Sequence, residues 1–100
     1  MNNPEDIYSP RSGIVAREIV DEFILVPISS ELTEMHSFFT LNSVGRYIWE
    51  QLNGVNTLQT IAGGVVETFE VSLETATGDL YQLVDELQEK VLIVPVIVSE

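Results

Sequence analysis

His36-Ser37-Phe38-Phe39-Thr40-Leu41-Asn42-Ser43-Val44-Gly45-Arg46-Tyr47-Ile48-Trp49-Glu50-Gln51-Leu52-Asn53-Gly54 changes its period part-way through. Over His36 to Leu41 the aromatic and β-branched content suits a strand, and period two places Phe39 and Leu41 on one face with Phe38 and Thr40 on the other. From Asn42 onward, Val44, Tyr47, Ile48 and Leu52 recur at helical spacing. Asn42 or Ser43 stands where a side chain caps the first turn, and Asn53-Gly54 stops the helix.

Upstream, Ile14 to Ile28 is dense in Ile, Val and Phe and is broken only by Val20-Asp21-Glu22. A hairpin over roughly 14 to 20 and 22 to 28 follows, joined to the third strand by the polar link Ser29 to Glu34. Residues 1 to 13, with Pro4, Pro10, Ser12 and Gly13, read as a loose lead-in. Downstream, Thr57 caps a second helix that turns Leu58, Ile61, Val65 and Phe69 inward and ends near Glu70. Its Gly63-Gly64 pair costs about 1 kcal/mol per glycine. Either a neighbouring backbone comes close there, or the helix is marginally stable. Ser72 caps a third helix carrying Leu73, Ala76, Leu80, Leu83, Val84 and Leu87 in a stripe, with Glu74 near its positive end and Lys90 at its negative one. The tail Val91 to Val98 is apolar and β-branched but contains Pro95, so it reads as an edge strand or a contact arm. The order of elements is α+β: a three-stranded antiparallel sheet followed by three helices.

Composition fits one folded domain. Of 100 residues 45% are apolar, and the 6 Gly and 4 Pro are too few for a disordered chain. The balance of 16 acidic against 4 basic residues gives a formal charge of -12, and no Lys or Arg lies between Tyr47 and Glu89. Nucleic-acid binding draws on Lys and Arg at the phosphates, so this field opposes it, and it opposes anionic membranes equally. It favours encounter with a basic peptide or basic protein patch, or it serves solubility alone. With no cysteine and a single histidine, His36, neither a usual zinc site nor a nucleophile–base pair can be assembled. The carboxylate pairs at helical spacing, such as Asp85 with Glu89, lie on polar helix faces. No catalytic residue, metal ligand or cofactor site is expected. The N-terminus has neither a basic start nor an apolar run, and no stretch reaches the about 18 apolar residues of a membrane span, so a cytoplasmic protein is expected.

A short sheet has an edge, and an edge is either covered, here by the chain's own tail for instance, or used to add a strand from a partner. Leu41-Asn42, Ile48-Trp49-Glu50 and Asn53-Gly54, followed by Thr57-Leu58-Gln59-Thr60-Ile61-Ala62, Phe69-Glu70-Val71 and the helix from Asp79-Leu80 to Lys90-Val91-Leu92-Ile93, resemble the PqqD family over roughly residues 14 to 93. The family has Gly where this chain has Val91, and this chain's apolar tail beyond Leu92 is longer. A different C-terminal turn is expected, and a tail that pairs in cis or in a dimer.

The resemblance implies a winged helix-turn-helix-like fold and a non-enzymatic role. It also implies that the leader segment of a ribosomally made precursor peptide binds as an added strand and is presented to a separate modifying enzyme. That enzyme is a radical S-adenosylmethionine protein in pyrroloquinoline quinone and related pathways, or a leader peptidase in lasso-peptide pathways. The implied docking edge is Ser37, Phe38, Phe39, Thr40 and Leu41, with Asp79, Tyr81, Val84 and Gln88 as the helical wall. Two other roles remain at this point: a winged-helix DNA-binding regulator, although its third helix would present only acidic charge, and an assembly subunit docked through its tail.

Overall fold

A two-residue turn sets the register of the main sheet. In the computed structural model, which describes residues 3–27 and 39–97, Val20 and Asp21 separate the paired residues Ile19 and Glu22. The elements are β1 (Tyr8–Pro10), β2 (Ile14–Ile19), β3 (Glu22–Pro27), β4 (Phe39–Leu41), α1 (Ser43–Gln51), α2 (Leu58–Phe69), α3 (Leu73–Glu89) and β5 (Ile93–Pro95). β2, β3 and β4 form an antiparallel sheet in that order, followed by three helices, as the change of period implied. Ile28, the link Ser29 to Glu34 and the expected strand start at His36, Ser37 and Phe38 lie outside the described residues.

Side-chain alternation faces the sheet onto the helices. The cross-strand pairs Leu25↔Phe39 and Phe23↔Leu41 share one face; Leu25 and Leu41 are buried, and Phe23 and Phe39 pack against the same core. Thr40, on the other face, is exposed. The helices supply Ile48, Trp49 and Leu52 from α1 and its end, Leu58, Ile61, Ala62 and Val65 from α2, and Ala76, Leu80, Val84 and Leu87 from α3. Each expected cap is made: Asn42 Oδ1 accepts from Gly45 N–H at 2.7 Å, Thr57 Oγ1 from Thr60 N–H at 3.2 Å and Ser72 Oγ from Thr75 N–H at 3.1 Å. Leu73 departs from the expected stripe: it is the first residue of α3, beyond the reach of the core, and 60% exposed.

Gly64 is required by a side chain and not by a backbone. A Cβ there would collide with the Tyr47 hydroxyl, whose ring also meets Phe69 edge-to-face at 5.8 Å and 84°. Arg46 joins α1 to the hairpin, with its guanidinium 4.7 Å from the Phe23 ring centre and Nη1 3.1 Å from Glu18 Oε1. Both charged groups are substantially exposed, so the ion pair contributes less than about 1 kcal/mol.

Within the lead-in, Tyr8–Pro10 is a strand. β1 pairs with β5 antiparallel, Ser9 facing Val94, and Tyr8 is buried. The carbonyls of Asp6 and Pro4 accept from Leu58 and Gln59 N–H at 2.9 and 2.8 Å, satisfying donors that the first turn of α2 cannot pair internally. Gly54, at φ 83°, donates to Tyr8 at 2.9 Å. Ile93–Pro95 of the apolar tail is therefore an edge strand paired in cis to β1, and no described residue of the tail pairs with β4. Bonds from Arg11 N–H to Leu92 O and from Val96 N–H to Ile7 O put Ile93 and Pro95 on the outer edge of β5, where Pro95 offers no donor.

The turn after α3 keeps the conformation that suits glycine while holding a valine. Val91 sits at φ 59°; its N–H reaches Gln88 O at 3.0 Å, and Leu92 N–H reaches Leu87 O at 2.8 Å. These two bonds, with Leu92 and Leu87 both buried, form a Schellman motif whose left-handed position normally takes Gly. A β-branched residue there is strained by roughly 1 to 2 kcal/mol, partly offset by glycine's greater freedom when unfolded. Val91→Gly is expected to stabilise the protein by about 1 kcal/mol, raising Tm by roughly 4 to 8 °C; a fall in Tm by calorimetry would show that packing at this 42% exposed side chain outweighs the strain.

Candidate functional site

Among the described residues β4 is an edge strand, and the hairpin turn fixes which of its backbone groups turn away from β3. Because Ile19 and Glu22 close a two-residue turn, the backbone of Glu22 bonds to β2, and in an antiparallel sheet successive residues bond to opposite neighbours. Phe23 and Leu25 therefore bond toward β4, where their partners are Leu41 and Phe39. Thr40 lies between those partners, so its N–H and C=O point away from β3. Among the described residues no strand pairs with that side.

The free side opens onto a cleft of about 300 Å³. Phe39, Thr40 and Leu41 form one wall, Asn42, Val44, Gly45 and Ile48 of the α1 start form the floor, and Asp79, Gln82, Leu83 and Glu86 of α3 form the other wall. The N-cap positions the floor: Asn42 turns the chain from strand to helix within one residue, and the tight approach of Gly45 to Leu41 lets that helix begin directly under the strand end. The cleft offers a strand edge, an apolar base and two carboxylates. That combination can hold an extended chain, and it supplies no nucleophile or base pair. Among the described residues no three His, Asp or Glu side chains converge as a metal ion would require.

Of the residues expected at the site, Phe39, Thr40, Leu41 and Asp79 are brought together here, while Ser37 and Phe38 lie outside the described residues. Tyr81, Val84 and Gln88 do not line the cleft. Val84 is wholly enclosed in the core, Tyr81 packs partly against it, and Gln88 accepts a hydrogen bond from the Tyr8 hydroxyl at 3.4 Å on the β1 side. The α3 residues that do reach the cleft, Gln82, Leu83 and Glu86, follow Asp79 at three, four and seven residues, the one helical line that contains it.

The family model for coenzyme PQQ synthesis protein D (PqqD) matches residues 22–93. The chain belongs to the PqqD family. A solved structure described as TbiB1 in complex with the TbiA(beta) leader peptide superposes with a TM-score of 0.68 at 24% identity, covering 85% of this chain and 93% of that one. At that identity the likeness is one of fold. A search of the curated proteins finds no match. The PqqD match begins at β3 and ends at β5, so it contains β4, the cleft and α3 but not β1 or β2. No helix among the described residues is long and apolar enough to cross a membrane.

On the opposite flank of α3, Gln88 meets a titratable group, the Tyr8 phenol. Burial first, and then the Asp6 and Asp85 carboxylates, raise the Tyr8 phenol above its ordinary value of 10.0, against a smaller lowering by the Gln88 bond. The raised folded pKa favours the neutral phenol, so its contribution is complete below pH 10 and is lost as pH climbs through the folded pKa. Tyr8→Phe should cost less than about 1 kcal/mol at pH 8 and should lose less stability than wild type between pH 9 and 11. Parallel urea-unfolding curves across that range would show instead that Tyr8 ionises without consequence.

Proposed function

We propose that this PqqD-family protein binds the leader segment of a ribosomally synthesised precursor peptide as an added antiparallel strand on β4, against α3. The protein then presents the precursor to a separate modifying enzyme, a radical S-adenosylmethionine protein or a leader peptidase. The observation that carries this reading is the outward N–H and C=O of Thr40 beside a cleft of about 300 Å³ lined by β4, α1 and α3. The family match and the fold shared with a leader-peptide complex support it. The other edges are less suited. β5 presents Pro95 outward, and the β2 edge, reaching Ala16 and the charged Glu18, has no opposing helical wall of the kind α3 gives β4.

Charge argues against a DNA-binding use of the same helices. α3 has no Lys or Arg along its length, and Glu74, Asp79, Asp85, Glu86 and Glu89 are all exposed on it. A helix with that surface would carry like charge into a groove bordered by phosphates.

A proline at the outward position tests the binding mode. Thr40→Pro removes the donor that faces the cleft and tolerates the edge, whereas Phe39→Pro removes a donor used against β3. For a leader peptide that the wild-type protein binds, Thr40→Pro should weaken binding by roughly 1 to 3 kcal/mol, about 5- to 150-fold, with Tm little changed. Thr40→Ala should bind nearly normally, and Phe39→Pro should lower Tm. Unchanged affinity in a folded Thr40→Pro variant, measured by calorimetric titration, would rule out docking on β4.

A further inference from the structure

The α3 wall of the cleft is patterned. Asp79, Leu83 and Glu86 follow one helical line, so a leucine stands between two carboxylates, about 6 Å from one and 4.5 Å from the other along the axis. Both acidic residues are exposed, and neither has an ion-pair partner among the described residues. No cleft-lining residue is basic. Leu41, Val44 and Ile48 line the same cleft as the leucine.

A strand added to β4 must present its side chains in a matching order. Residues opposite one another share a face of the sheet, so the peptide residue opposite Thr40 points away from the helices, while those opposite Phe39 and Leu41 point into the cleft. These two are separated by two residues, about 6.7 Å, close to the axial spacing of Leu83 from its flanking carboxylates. An apolar side chain over Leu83 and Ile48 therefore sets the residue two positions away beside Asp79 or Glu86. A Glu or Asp there meets like charge in a partly closed space. A Lys or Arg can lay its methylene stem along Leu83 and reach a carboxylate with its head.

Resting on the strand addition proposed above, we infer that the cleft selects extended segments in which an apolar residue is paired with a Lys or Arg two positions away, and that Asp79 and Glu86 determine this specificity. The carboxylates then choose among peptides, while the backbone edge holds any peptide that is chosen.

A displayed library of random twelve-residue peptides, selected at low salt against the full chain, separates the two roles. Wild type should enrich peptides with an apolar residue and a Lys or Arg at a spacing of two by about fivefold over the input. The double variant Asp79→Asn, Glu86→Gln should still enrich apolar peptides but without the basic preference. Thr40→Pro should enrich both at least about fivefold less. A synthetic wild-type-selected peptide should bind the double variant roughly five- to tenfold more weakly, with the difference closing at 0.5 M NaCl. Enrichment by wild type without a basic preference, or a preference that survives in the double variant, overturns the inference and leaves strand addition standing. Undiminished capture of the same peptides by Thr40→Pro, or capture of none by wild type, overturns strand addition as well.

Discussion

Strict alternation along a three-stranded antiparallel sheet is the constraint on which the remainder of the structure depends. With Val20 and Asp21 as the turn, parity assigns every later residue of β3 and β4 both a face and a hydrogen-bonding direction. Phe23, Leu25, Phe39 and Leu41 turn onto the helices because of it, and Thr40 turns its backbone outward for the same reason. A one-residue slip would reverse both outcomes at once. Core formation and an available edge are thus two results of one register, and packing of Leu25 and Leu41 against Ile48 and Trp49 protects the register that the cleft needs.

The chain ends brace this arrangement from the other side. β1 and β5 pair across more than eighty residues of sequence, bury Tyr8 and Ile93, and bring carbonyls of the lead-in onto the first donors of α2. α3 is consequently braced on its β1 flank. One flank meets β1 through Gln88 and Tyr8; the other, through Asp79, Leu83 and Glu86, faces β4 across the cleft.

Much of this was legible in the sequence, and the part that was not has identifiable physical causes. Caps at Asn42, Thr57 and Ser72 and the switch of period at Leu41 are local signals, so the order and approximate bounds of the hairpin, β4 and the helices followed from them. The β1–β5 pairing has no local signal: three-residue strands far apart, one holding Pro10 and the other Pro95, look like loop until their partners are known. The flank of α3 was equally hidden. Either side of its buried stripe mixes polar and apolar residues, with Tyr81 and Gln88 on one and Asp79, Gln82 and Leu83 on the other. Spacing alone does not say which side faces β4. Tertiary rotation of the helix decided it, assigning Tyr81, Val84 and Gln88 to the core and the β1 side. At Val91 the sequence signals no left-handed turn, because the two backbone bonds that hold the position for a valine are visible only once the fold is known.

The central claim is that the backbone of Thr40 is the open half of a peptide-binding ladder. Residue-resolved amide hydrogen exchange, with and without a bound leader peptide, reads that directly. The account predicts that Phe39 and Leu41 amides, bonded to β3, are already protected in the free protein, whereas the Thr40 amide exchanges freely and becomes protected when peptide binds. A Thr40 amide that is slow beforehand, or that stays fast in the saturated complex while protection appears on another edge, would contradict it.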